Sequence, residues 1–281
     1  MCDENAVVAR RLQTIDSMAV QFQRLEAFPE LPGAAALDEE AEAALLGIPA
    51  AAVVELRRAM REEVAGAAAR LVERDEVRRA LVALPPGFTF ACVGDSLTAD
   101  HQSWAEMLAE TLVSVRPDVR LLNLARSGAT SLDAVRRVAG LGERPALYVV
   151  LIGTNDAIRY DIAPGAPLVS DAETRTNLER LAGFAASRGA SLVWVTPPPI
   201  LPAVVAAFPV FRELGLGWAA EDVARKAGLV RERAEPVIDL WAAFDGADLA
   251  SLLLDDGLHL SVSGQAVVAA EVVIQGLEPR P

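Results

Sequence analysis

The stretch Phe88-Thr-Phe-Ala-Cys-Val-Gly-Asp-Ser-Leu-Thr98 joins two kinds of structure. Phe88 to Val93 is a short, β-prone apolar run bounded on its left by Pro85-Pro86-Gly87, and it reads as a buried strand. It stops at Gly94, and Asp95 and Ser96 follow at once. From Trp104 onward, Trp104, Leu108 and Leu112 recur at helical spacing. Ser96 is therefore expected on a strand-to-helix turn at the end of a parallel strand, the edge where open α/β sheets bind ligands. A serine near a helix N-terminus can expose its hydroxyl among free backbone N–H groups. Asp and Ser are also ordinary helix-start residues, so Gly94-Asp95-Ser96-Leu97 gains meaning only from the rest of the chain.

Downstream of Pro85, strand-like and helix-like stretches alternate. The candidate strands are Phe88–Val93, Val119–Asn123, Leu147–Ile152, Ser191–Thr196 and Val237–Leu240. The candidate helices are Trp104–Val115, Leu132–Val138, Ala172–Ser187, Ala219–Arg233 and Ser263–Ile274. Regular alternation implies a parallel sheet with helices on both faces and right-handed crossovers. Five strands fit an α/β fold of the flavodoxin-like kind, a three-layer α/β/α sandwich on a five-stranded parallel sheet.

Upstream, residues 1–84 read as all-helical. Val8, Leu12, Ile15, Ala19, Phe22 and Leu25 form one helical stripe, broken at Pro29, Pro32 and Gly33. Asp38 suits the cap of a short helix to Leu46, with Gly47 as its stop. Pro49 suits a first helical position. Val53, Leu56, Met60, Val64, Ala67 and Leu71 mark a long amphipathic helix, and Asp75 restarts a last one to Val82. Glu39 to Val54 has a faint helix-turn-helix look but lacks the basic residues that phosphate contacts need. The expected organisation is a helical N-terminal region, 1–84, serving for packing or dimerisation, followed by an α/β domain, 85–281. No internal repeat is evident.

Composition narrows the function. The chain has 281 residues, 52% of them hydrophobic, enough for a large core. With 26 Lys+Arg against 39 Asp+Glu, the net charge is -13. No basic run offsets it, which argues against nucleic-acid and anionic-membrane partners. Cys2 and Cys92 do not make a disulfide framework. The start, Met-Cys-Asp-Glu-Asn, lacks an apolar signal core, and no apolar run reaches the length of a membrane span. A cytoplasmic protein is expected. Two histidines and two scattered cysteines leave little for a zinc site, and no metal or cofactor is expected.

Polar residues of interest collect in four loops. Three follow the first three strands: Gly94-Asp95-Ser96-Leu97, Asn123-Leu-Ala-Arg-Ser-Gly128-Ala-Thr130 and Gly153-Thr154-Asn155-Asp156. The fourth is Asp256-Gly257-Leu258-His259-Leu-Ser261. In this order and strand context the set resembles the SGNH, or GDSL, hydrolase superfamily, over about two-thirds of the chain from Phe88 to the last helix. The resemblance implies that Ser96 is the nucleophile, that Gly128 and Asn155 are the glycine and asparagine of the second and third blocks, and that Asp256 and His259 form the last block. The chain departs from the family's pattern at Ala99-Asp100-His101, where a glycine is common, and the helical N-terminal region lies outside the common core.

The residues read by themselves agree. A serine hydroxyl is a weak nucleophile and needs an adjacent base. The two histidines are His101 and His259. His101 lies five residues after Ser96, where its side chain need not face back. His259 has Asp256 three residues before it, and a carboxylate so placed can fix the tautomer and stabilise the imidazolium. The plainer reading of Asp256-Gly257 is a turn leading to a helix cap at Ser261 or Ser263. Three donors can converge on an oxyanion: the Ser96 N–H, the Gly128 N–H and the Asn155 amide. Asp95 and Asp156 read as loop organisers that accept backbone N–H bonds.

Gly215-Leu-Gly217-Trp-Ala-Ala220 mimics a dinucleotide fingerprint, but no strand precedes it. No Gly-x-Ser-x-Gly occurs, against an α/β-hydrolase elbow. The apolar stretch Ile200 to Trp218 follows Thr196-Pro-Pro-Pro199 at the same edge and either lines a substrate pocket or packs on the core. The expectation is a serine hydrolase cleaving acyl or acetyl esters of a small molecule or sugar through an acyl-enzyme. An acyltransferase using the same intermediate is the first rival. A non-catalytic scaffold recruiting a partner through its N-terminal helices is the second. Those helices suit a homodimer and docking onto the hydrolase core equally well.

Overall fold

In the three strands at the centre of the sheet, successive side chains enter two different cores. We describe the protein from a computed structural model, which covers residues 16–25, 33–162 and 165–277. Strand β1, Thr89–Gly94, sends Phe90 and Cys92 to one face and Ala91 and Val93 to the other. Strand β3, Leu147–Leu151, sends Leu147, Val149 and Leu151 one way and Tyr148 and Val150 the other. The period of two is that of an extended chain, and both faces are apolar because both are covered.

Adding β2 (Arg120–Asn123), β5 (Ser191–Val195) and β7 (Val237–Ile238) gives a five-stranded sheet in the order β2-β1-β3-β5-β7. Every pairing is parallel, from Thr89 against Arg120 at one edge to Val195 against Ile238 at the other. This is the flavodoxin-like order, with its reversal at β1 and β3. The last strand is shorter than Val237–Leu240 because Asp239 leaves the sheet. Its carboxylate caps the short helix Leu240–Ala243 by accepting from Trp241 N–H.

One face carries α7 (Ser131–Ala139), α8 (Asp171–Ser187) and α11 (Ala220–Arg231). The other carries α6 (Trp104–Val115) and α14 (Val262–Glu271), which continues as a π-helical turn to Gly276. The caps explain the helix starts. Ser103, Ser170 and Ser261 each accept from the N–H three residues on, and Thr130 and Asp133 form a capping box.

Helices before β1 join this second face. They are α2 (Glu39–Leu46), α3 (Ala50–Glu73) and α4 (Asp75–Val82). Asp38 caps α2 and Gly47 ends it at φ 70°, as the sequence suggests; Pro49 is the cap of α3 rather than its first residue. Val64, Leu71, Val77, Leu81 and Leu84 share one core with Phe90, Leu108 and Val268. A buried ion pair, Arg57 with Glu42, ties α2 to α3. Ahead of these lies a helix, α1, described over residues 16–22, which covers Ala19 and Phe22 of the N-terminal stripe. Val8, Leu12 and Ile15, together with Pro29, Pro32 and Cys2, lie outside the described residues.

Periodicity gave no sign of a small antiparallel ribbon. Strand β4 (Ile158–Tyr160) pairs with β6 (Leu216–Trp218), so the Gly215-Leu-Gly217 stretch is an edge strand and not a phosphate loop. Around it, α9 (Pro202–Ala207) and α10 (Pro209–Glu213) build a third apolar cluster from Ile158, Ile200, Val205, Phe211, Trp218 and Leu258. No helix among the described residues is long and apolar enough to cross a membrane.

Candidate active site

The end of β1 is fixed before any chemistry begins. A Cβ on Gly94 would lie 2.4 Å from the Thr98 hydroxyl oxygen and 2.7 Å from the Leu151 carbonyl oxygen, so only glycine lets the chain turn here against β3. Asp95 caps a four-residue helix, α5 (Ser96–Ala99), and its Oδ1 accepts from Leu97 N–H at 3.0 Å. Ser96 is the first helical residue, and its own N–H has no partner within the helix. Gln265 of α14 clamps the turn by donating to Leu97 O at 3.0 Å and accepting from Trp104 N–H at 2.9 Å. Asn123, at the end of β2, donates to Thr98 O at 3.1 Å.

The loop before α14 delivers His259, the candidate base. Asp256 Oδ1 accepts N–H bonds from Leu258 and His259, each at 2.9 Å, winding the loop tightly around the carboxylate. Its Oδ2 is 2.6 Å from His259 Nδ1 and, being an acceptor only, takes the proton from that nitrogen. His259 Nε2 is thereby left to accept from the Ser96 hydroxyl, at 2.9 Å. Residues far apart in sequence thus form one unbroken line, Asp256–His259–Ser96. Ser261 caps α14 as the plainer reading expected, so the turn serves both purposes.

The electrostatics follow from burial. His259 is 6% exposed and Ser96 8%. Burial by itself lowers the His259 pKa, but the Asp256 charge and hydrogen bond outweigh it, with Asp100 and Asp95 adding to the effect, and the pKa is raised above the usual imidazole value. Asp256 is held low: burial raises it, and the His259 charge together with three hydrogen bonds more than reverses that. Asp95 stands differently. Burial pushes its pKa up to about 7, and its Oδ2 has no hydrogen-bond partner in the protein.

The other two loops meet the same edge. Ala129 N–H donates to Arg126 O at 3.1 Å, closing a turn with Gly128 third, at φ 75°. That position takes glycine because other residues are strained at positive φ. Asn155 follows β3, and its Nδ2 donates to Ala129 O at 3.0 Å, which orients the amide against the Gly128 turn. A primary amide has two N–H donors, so a second remains for an oxyanion. Asp156 does organise its loop, accepting from Ser131 N–H and from the Thr174 hydroxyl, both at 2.7 Å.

His101 is engaged elsewhere, with the segment 16–25. Its ring Nε2 lies 3.2 Å from Gln23 O, and its N–H donates to Gln21 O at 3.0 Å. The Ile200–Trp218 stretch packs as one of its two readings expected, with Phe211 buried in the third cluster, and the Phe211 ring centroid lies 6.4 Å from that of His259. One neighbour was not anticipated: the Phe22 ring stacks on His259 with centroids 4.1 Å apart. Phe22 was visible only as one member of a helical stripe. Among the described residues, no group of three or more His, Cys, Asp or Glu side chains is placed to hold a metal ion.

Comparison with known proteins agrees with this layout. The GDSL-like lipase/acylhydrolase family matches residues 92–267, which leaves α1 to α4 outside the matched span. The fold is similar to that of a lipase/acylhydrolase from Enterococcus faecalis, at 23% identity over 66% of this chain and 93% of that one, with a TM-score of 0.51. It is also similar to LAE5, an α/β hydrolase enzyme from the metagenome of Lake Arreo, Spain, at 21% identity over 70% and 99%, with a TM-score of 0.55. A third likeness is to Axe2, an acetylxylan esterase from Geobacillus stearothermophilus, at 21% identity over 71% and 100%, with a TM-score of 0.53. No curated protein matches the sequence. The family match spans more than half of the chain and takes in Ser96, Gly128, Asn155, Asp256 and His259. The chain belongs to the GDSL-like lipase/acylhydrolase family and is a carboxylic ester hydrolase.

Proposed function

We propose that the protein cleaves carboxylic esters of a small molecule through an acyl-enzyme formed on Ser96. The observation that carries this reading is the 2.9 Å contact between Ser96 Oγ and His259 Nε2, in line with the 2.6 Å contact between His259 Nδ1 and Asp256. His259 takes the hydroxyl proton as Ser96 attacks the ester carbonyl, and Asp256 stabilises the imidazolium without itself being protonated. The Ser96 N–H, the Gly128 N–H and the free N–H of the Asn155 amide receive the oxyanion. His259 then gives its proton to the leaving alkoxide, and water, activated by the same imidazole, releases the acid. No cofactor enters the scheme.

The test is covalent. A fluorophosphonate probe should label wild-type protein at Ser96, found by mass spectrometry of the adduct peptide, and Ser96→Ala should lose both labelling and hydrolysis of p-nitrophenyl esters and acetylated sugars. Labelling at another residue, or full activity in Ser96→Ala, would sink the reading.

The shielding of Ser96 and His259 from solvent favours a second reading, acyl transfer to an alcohol, because a site poor in water hydrolyses its acyl-enzyme slowly. Product analysis with added alcohols separates the two: a new ester accumulating ahead of free acid marks a transferase.

A further inference from the structure

The segment 16–25 lies across the catalytic edge and is fastened there by two sets of contacts. The polar set grips the last residue of α5 and the stretch just after it. His101 N–H donates to Gln21 O at 3.0 Å, and Gln21 Nε2 donates to Asp100 Oδ2 at 3.0 Å. Arg24 Nε donates to Ala99 O at 2.7 Å, and its guanidinium pairs with Glu106. The apolar set grips the helices and the third cluster. Val20 is fully buried with Ala43, Ile48, Val53 and Met60, and Met18 packs against the cluster that holds Phe211, Trp218 and Leu258. Between these anchors Phe22, 4% exposed, stacks on the His259 imidazole with an interplanar angle of 26°.

This contact bears on substrate size through the proton transfers just described. The leaving oxygen must come within hydrogen-bond reach of His259 Nε2 to receive its proton. The alcohol part of the ester is therefore the part that lies beside the imidazole, and a side chain stacked on that ring limits the space left for it. Phe22 comes from outside the span matched by the family, so this wall is supplied by the N-terminal segment and not by the hydrolase core.

We infer that Phe22 is a specificity-determining residue that closes the alcohol side of the site and restricts the enzyme to esters of small alcohols. The inference rests on Ser96 as nucleophile and His259 as base.

The experiment uses the full chain and two ester series. In the first, the acyl group is held as acetate and the alcohol grows from ethyl through phenyl to 2-naphthyl. In the second, the alcohol is held as p-nitrophenol and the acyl chain grows from acetate to octanoate. Phe22→Ala should raise the naphthyl-to-ethyl ratio of kcat/KM by about ten-fold or more, the scale on which a filled apolar pocket discriminates. Phe22→Trp should lower the same ratio. The acyl-length ratio should move by less than about three-fold in both variants, below that scale. Arg24→Ala, which loosens the segment while leaving Phe22, Ser96 and His259 in place, should shift the alcohol ratio in the direction of Phe22→Ala.

A wall that only stabilises the fold would change all substrates alike. An alcohol ratio unchanged in both Phe22 variants, or an acyl ratio that moves as far as the alcohol ratio, overturns the inference. Circular dichroism and fluorophosphonate labelling of each variant identify any that fail to fold, and Arg24→Ala decides if Phe22→Ala is among them. Ser96→Ala is assayed alongside. If it is inactive while the ratios stand still, only the role of Phe22 falls; if it stays active, the nucleophile assignment falls and this inference with it.

Discussion

Asp156 Oδ1 accepts the N–H of Ser131 at 2.7 Å, joining the loop after β3 to the start of α7. Asn155 is the preceding residue, and Ser131 begins the helix that follows the Gly128 turn. The two proposed oxyanion donors from separate loops are thus held in register by one buried carboxylate, whose second oxygen takes the Thr174 hydroxyl of α8.

Asp156→Ala should therefore act on catalysis at a distance. Loss of the carboxylate leaves Ser131 N–H and the Thr174 hydroxyl without their acceptor, costing about 1–3 kcal/mol each in stability. A slip of the donors by an ångström costs up to roughly 100-fold in rate. We expect kcat to fall and KM to stay nearly constant. A KM effect with kcat intact would show that the link does not position the donors.

Asn155→Ala removes a donor outright and should be more severe. The loss of one oxyanion donor costs on the order of 100- to 1,000-fold in kcat. Fluorophosphonate labelling at Ser96 should slow as well, since the probe's phosphoryl oxygen uses the same donors. Labelling at the wild-type rate would remove Asn155 from the oxyanion site.

Asp95 predicts an unusual pH dependence. Its pKa is about 7 in the folded protein against roughly 3.9 unfolded, because burial opposes the charge. Between those values the folded state holds more protons than the unfolded one, so stability falls as pH rises through this window. Its contribution is fully present below the unfolded pKa and lost by the time pH passes 7, on the order of 4 kcal/mol at about 1.4 kcal/mol per pH unit. Asp95→Asn lacks this term, so its melting temperature should gain on the wild type's between pH 4.5 and 8. Parallel curves would show that Asp95 ionises normally.

The same variant should shift the activity profile. His259 must be neutral to act as a base, and its pKa is raised, so kcat/KM should fall on the acid side with an inflection above the ordinary imidazole value of about 6.5. The Asp95 charge is one of the groups that favour the imidazolium. Asp95→Asn should move the inflection to lower pH. An inflection unmoved by the change would argue that this charge does not reach His259.

Leu81→Ala tests how the helices before β1 belong to the enzyme. Leu81 is 1% exposed in the core that also holds Phe90 and Leu108. Truncation should cost about 2–5 kcal/mol and lower a single cooperative transition. Two separate transitions, with activity lost only in the second, would mean that α4 folds independently of the sheet.

Much of the layout could be read from local signals. The run from Phe88 to Val93 yields β1, shifted by one residue to Thr89–Gly94, because it is short, β-prone and bounded by Pro and Gly, and the helix at Trp104–Val115 starts and ends where its spacing says. Asp38, Gly47 and Ser261 mark helix ends by short-range hydrogen bonding or backbone conformation. What failed locally was short: β4, β6, α9, α10, α12 (Leu240–Ala243) and α13 (Leu249–Leu252) span three to six residues, too few for a period to show.

The sequence by itself determined the parallel α/β architecture, the four polar loops and the pairing of Asp256 with His259, since each depends on neighbours within a few residues along the chain. Tertiary structure alone decided that Ser96 and His259 touch, that His101 turns to Gln23, and that Phe22 covers the imidazole. The physical reason is that an apolar stripe reports that a face will be buried, while the partner on the other side is chosen by how whole elements pack. Phe22 had the pattern of any core residue, and only docking of its helix against the loops placed it on the His259 ring.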